Sequence, residues 1–151
     1  MEIYYFIFAI ICFVIFGNLG IHLYYKRKHK DFIESLKGKK YTLFKKLNME
    51  MESIGKVGFK YQFNTADVVF LDDSIFILLS VRPFGMAQPI LQISNNSDIF
   101  PSISRKFSYD SKNNENGKLK IKGRFGQGMT GGTYTIWINF KSTGFDLNSI
   151  L

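Results

Sequence analysis

The run Gly126-Gln127-Gly128-Met129-Thr130-Gly131 spells GxGxxG, the glycine spacing that lets a backbone close on a phosphate. In the dinucleotide version that spacing ends a strand and opens a helix whose first N–H groups meet the pyrophosphate. Here Tyr134, Ile136, Ile138 and Phe140 alternate with Thr135, Trp137 and Asn139, so a strand follows the glycines and no helix terminus is offered. A glycine-rich lid between two strands would need a later strand lysine, a catalytic aspartate and a metal-binding motif, and too little chain remains to hold them. The run therefore reads as a hairpin loop in which glycine supplies positive φ.

Acid–base and metal chemistry find no better footing. The two histidines, His22 and His29, precede the region that could fold into a domain, which leaves that domain without a histidine general base or an ordinary zinc ligand. Cys12 is the single cysteine, so neither an internal disulfide nor a cysteine-cluster zinc site can form. Asp67, Asp72 and Asp73 could gather as oxygen ligands near a strand end, but turn chemistry explains them better. No serine lies in a nucleophile elbow. The sequence nominates no catalytic residue, no cofactor and no metal, and a non-enzymatic role is the expectation.

Charge is the remaining candidate. Lys118, Lys120, Lys122 and Arg124 alternate with Leu119, Ile121, Gly123 and Phe125, which places four cations on one face of one strand, and Trp137 has the outward parity of the strand expected to pair with it. Such a face could press on anionic lipid headgroups, an acidic protein partner or nucleic acid, or simply be solvated and deter edge pairing. A second basic run, Lys26-Arg27-Lys28-His29-Lys30, stands much earlier. The net charge of +8 is unevenly spread: residues 26–46 carry nine Lys or Arg against Asp31 and Glu34, whereas residues 47–151 hold eleven basic against nine acidic side chains. A charge excess confined to one short segment disfavours nucleic acid as the partner.

What must position these cations is an apolar run. Ile3 to Tyr25 is nearly uncharged, with Tyr4 and Tyr5 at one end and Tyr24 and Tyr25 at the other. A helix of that length is about 34 Å long, enough to cross a hydrocarbon core of about 30 Å with the tyrosines at the interfaces. Lys26, Arg27, Lys28 and Lys30 follow directly, so the positive-inside rule predicts the amino terminus outside and the carboxyl-terminal domain in the cytoplasm; the same residues could also hold anionic headgroups. A cleavable signal fits less well, because there is no basic n-region and Gly17-Asn18-Leu19-Gly20 is a poor cleavage site. Asn18 and His22, one turn apart, are polar groups that could serve helix association or be hydrated near the cytoplasmic interface. Gly17 and Gly20 lack GxxxG spacing.

The expected organisation is thus a transmembrane anchor over 1–25, a basic juxtamembrane segment over 26–40 and a β-rich domain over 41–151. Phe32, Ile33 and Leu36 suggest that the helix continues to about Lys37, with Gly38 as a stop. Tyr41 to Met51 reads as a short amphipathic helix or a first strand. Alternation then predicts a strand at Val57–Phe63, and Ala66–Leu71, the apolar run Ile75–Leu79 and Ile90–Ile93 read as further strands, the last preceded by a loop that Pro83, Gly85 and Pro89 bracket. Ser108 to Gly117 reads as a polar loop before the hairpin of Leu119–Phe125 and Thr133–Lys141, and Phe145 to Leu151 as a short terminal helix or strand.

This order, with Val57–Phe63, Ile75–Leu79 and Tyr134–Phe140 as its firmest parts, resembles the pleckstrin-homology-like domains of small bacterial single-pass membrane proteins over roughly residues 41–151. The resemblance implies that the mainly-β antiparallel meander following the one transmembrane helix is a partly open barrel or small β-sandwich. It also implies a binding module for lipid headgroups or a membrane protein partner, without assigning residues. The function expected is a membrane-anchored, non-catalytic binding or scaffolding module at the inner membrane surface; the alternative is a small accessory subunit of a membrane complex.

Overall fold

The computed structural model describes residues 2–54, 59–61, 65–81, 84–96, 100, 103, 105–126 and 131–150. Most of the GxGxxG loop, and positions 57, 58, 62 and 63 of the first expected strand, lie outside the described residues. One long helix, α1 (Glu2–Ser35), precedes nine strands: β1 (Thr42–Leu47), β2 (Met49–Ile54), β3 (Phe59–Tyr61), β4 (Thr65–Leu71), β5 (Ser74–Val81), β6 (Met86–Ile93), β7 (Arg105–Glu115), β8 (Lys118–Phe125) and β9 (Gly132–Asn139). A 3-10 turn follows at Leu147–Ile150. The strands form one sheet in the order β1-β4-β5-β6-β7-β8-β9-β2-β3, antiparallel throughout except for β6 and β7. The sheet ends at β1 and β3, so it is open and not a closed barrel.

Parity explains the three layers. On β5, Ile75, Ile77 and Leu79 point to one core while Phe76 and Leu78 point to another, so every residue from Ile75 to Leu79 is buried. A strand covered on both faces reads as a continuous apolar run, as this one does. The first core lies between β1, β4, β5 and β6 on one side and β2, β8 and β9 on the other, where Leu119, Ile121, Ile136 and Ile138 are fully buried. The second core lies on the outer face of β4, β5 and β6, where Phe32 from the end of α1 and Leu36 from the turn just after it pack on Val69, Phe76, Leu78 and Ile90. The layers run helix, sheet, sheet.

Three sequence expectations change. Ser108 to Gly117 is no loop: β7 extends to Glu115 and is bonded along β8, from Ser108 opposite Arg124 to Glu115 opposite Lys118. Only Phe107 and Tyr109 pack on the core, so the rest of β7 stays polar and shows no apolar alternation. Its turn is Asn116-Gly117, both at positive φ (54° and 77°), the pair that two-residue hairpins favour. Pro89 stands inside β6 and not in the loop before it; the β5–β6 register is irregular beside it, and β7 pairs only from Leu91 onward, so its missing N–H is tolerated. Tyr41 to Met51 gives two strands separated by Asn48, with a bulge at Lys46 (φ 55°) whose N–H donates to Asp67 at 2.7 Å.

Candidate membrane and partner surface

The helix is one continuous element across the boundary expected at residue 25. Among the described residues it is the one helix long and apolar enough to cross a membrane. From Ile3 to Ile21 its large apolar side chains are exposed. From His22 onward one face docks on the sheet. His22 Nδ1 accepts the Ala87 N–H at 3.0 Å, His29 Nε2 donates to the Gln88 carbonyl at 2.7 Å, and Phe32 packs its ring 5.0 Å from that of Phe76. His22, His29 and Leu36 recur every seven residues and Phe32 adds the intermediate turn, the spacing of one helical face. His22 is therefore held by protein. Asn18 donates back to the Val14 carbonyl of its own helix at 2.8 Å.

Burial lowers the His29 pKa below its ordinary value of 6.5, outweighing the hydrogen bond to Gln88 that raises it. The docked helix then refuses a proton that the undocked chain accepts, so docking is strongest above about pH 6.5 and weakens as the pH falls below it. Hydrogen exchange at the Ala87 amide of the full chain in detergent, taken relative to its intrinsic rate, which itself falls with pH, should show a growing excess from pH 7.5 to 5.5. His29→Gln, which keeps a donor, should reduce that excess.

The juxtamembrane cations sit just past the exposed span. Lys26, Arg27 and Lys30 are exposed and Lys28 is half-buried, its Nζ 5.8 Å from the centre of the Tyr24 ring. Lys30 pairs with Glu34 across one turn at 3.8 Å, an exposed contact worth about 0.3–0.5 kcal/mol. Lys26 and Arg27 stand exposed at the end of the apolar stretch, beside this pair.

The second basic row has a different setting. β8 is a central strand between β7 and β9, so its lysines do not guard an edge. Lys120 lies opposite Trp137, with its Nζ 6.0 Å from the ring centre, and is 2.6 Å from Glu115 Oε1; Arg124 Nε is 3.3 Å from Asp110 Oδ2. Acids on β7 thus offset two of the four charges, and Lys118 and Lys122 carry the rest. The polar run from Ser108 carries no strand signal, so the sequence does not show this pairing; Asn116-Gly117 is the signal that could find it. The structure does not bring Lys118–Arg124 together with Lys26–Lys30. Leu119 and Ile121 on β8 point into the first core, and α1 covers the far side of the opposite sheet half, so the two basic groups lie on opposite outer faces. Sheets stack about 10 Å apart, and α1 lies along β6; the β8 face therefore looks sideways from the helix axis.

Asp67 is taken up by the β1 bulge, while Asp72 and Asp73 form the turn at the far end of β4, so the three carboxylates do not converge. Among the described residues no three His, Cys, Asp or Glu side chains are grouped to hold a metal ion. Comparison with protein-family models, curated proteins and solved structures found no match to this chain.

Proposed function

We propose that this chain is a single-pass, membrane-anchored binding or scaffolding module, with its amino terminus outside and its β-domain at the cytoplasmic surface. The observation that carries the reading is the continuity of α1: the same helix is exposed and apolar over Ile3–Ile21 and buried in the domain at Phe32 and Leu36. A helix fixed at both ends holds the domain in one orientation and leaves no slack linker. The cations at 26–30 supply the topological bias and a headgroup contact.

The sideways basic face of β8 supports an acidic protein surface in the same membrane as its occupant over headgroups lying beneath the domain. Headgroup attraction decays over a Debye length of about 8 Å, so a face directed along the membrane plane gains little from it. This also favours the accessory-subunit reading. In mild detergent the full chain should purify with a stoichiometric companion that Lys118→Glu with Lys122→Glu releases, while both proteins remain in the membrane fraction. A wild-type chain that is alone in detergent, or a companion retained by the double variant, would count against this face. Digestion of the domain by protease added outside intact cells would count against the orientation.

A further inference from the structure

We propose that the tip of the β5–β6 hairpin, carrying Phe84, dips into the bilayer beside α1 as a second membrane contact. The inference rests on the anchored reading above and adds where the domain meets lipid. Phe84 is 84% exposed; outside α1, Ile54 is the other large apolar side chain that is mostly exposed among the described residues. One exposed apolar residue is ordinary on a soluble surface, so exposure by itself decides nothing. Its place does.

α1 and β6 run in the same direction. His22 meets Ala87, His29 meets Gln88, and Phe32 lies on Phe76, whose neighbour on β6 is Gln92. Moving back along β6 from Ala87 therefore leads toward the exposed apolar half of α1. Phe84 is three residues back, and at about 3.3 Å per residue it can reach up to about 10 Å past the His22–Ala87 bond. The headgroup layer on either side of a bilayer is only about 5–8 Å thick, so a span ending near His22 puts that ring at the outer acyl chains. Gly85, at φ 62°, turns the chain back into β6 there, and no described atom would lie within 4 Å of a Cβ added to it. Phe84 and Gly85 are uncovered by the described residues of the domain, and the partner that α1 places beside them is lipid.

The test uses the full chain reconstituted into phosphatidylcholine vesicles carrying bromines on the acyl chains. Trp137→Phe removes the one native tryptophan, and a single reporter is then introduced as Phe84→Trp or, separately, as Phe8→Trp within the span. The expected result is blue-shifted emission quenched by the bromines at both positions, with native Trp137 in the unaltered chain unquenched. A quenched reporter at 8 with red-shifted, unquenched emission at 84 would overturn the hairpin contact and leave the anchor standing. Unquenched emission at both would overturn the anchor, and this inference with it.

Discussion

Gly123→Ala is expected to unfold the β7–β8–β9 half of the domain, with a loss of about 3 kcal/mol or more. A Cβ at this position would stand 2.1 Å from the Ser108 carbonyl oxygen, 2.8 Å from Tyr109 Cα and 2.7 Å from the Tyr134 hydroxyl. Two of these atoms are backbone of the neighbouring strand β7 and can move only by breaking its register. The third is a buried phenol that donates to Ser108 O at 2.8 Å and whose pKa burial pushes upward, with Asp110 adding to the effect. Chemical denaturation of the full chain in mild detergent, followed by Trp137 fluorescence, measures the loss. Tyr134→Phe in the same chain should recover only part of it, because one of three collisions is relieved, and alone should cost about 1 kcal/mol for the hydrogen bond. Lys122→Ala, one residue away on the solvent face, should change stability by no more than about 0.5 kcal/mol. A Gly123→Ala protein as stable as the parent would mean that β7 and β8 do not pair in this register.

Phe32→Ala is the second large effect, with a different signature. The Phe32 ring is fully buried, 5.0 Å from the Phe76 ring and 5.4 Å from the Phe100 ring, at the centre of the core that joins helix to sheet. Removing a buried phenylalanine costs about 3–5 kcal/mol, and here the cavity opens between α1 and β5, away from the first core. The expected outcome is release of the helix from the domain while the sheet stays folded. Exchange at the Ala87 amide should accelerate strongly, while Trp137 emission stays native. Phe32→Leu should cost much less, about 1.5 kcal/mol or below, because most of the volume is kept. If Phe32→Ala unfolds Trp137's surroundings along with the helix, the two cores are one cooperative unit, and the domain has no stability without its anchor.

The sequence carried the elements whose pattern is strong. The long apolar helix was legible because Ile3 to Tyr25 is nearly uncharged, with Asn18 and His22 as its polar interruptions, and is long enough to cross a membrane. β8 and β9 were legible because each has one buried face, and alternation displays it: Leu119 and Ile121, then Tyr134, Ile136 and Ile138, are all buried as the parity required. β5 was legible as an apolar run, although nothing in the run said that it is buried on both faces or that its second cover is α1. β7 was hidden because its stabilisation comes from backbone bonding to β8, with only Phe107 and Tyr109 giving an apolar signal. Pro89 misled for the opposite reason: a local rule against proline in strands was satisfied by a gap in the ladder that only the sheet creates.

For the candidate surfaces the division is similar. Residue types and spacing by themselves determined an apolar membrane-length helix, the cations at its end, a β-rich domain without histidine or cysteine, and a strand with four cations on one face. Local periodicity encodes such features, which need no knowledge of distant neighbours. Only the tertiary structure decided that the end of the helix packs into the domain, that Glu115 and Asp110 offset half of the β8 charge, and that this face lies across the core from the cations at 26–30. Those outcomes depend on which strands pair and which faces stack, and residues 59 or 65 positions apart, as His29–Gln88 and His22–Ala87 are, leave no periodic trace of their contact in the chain.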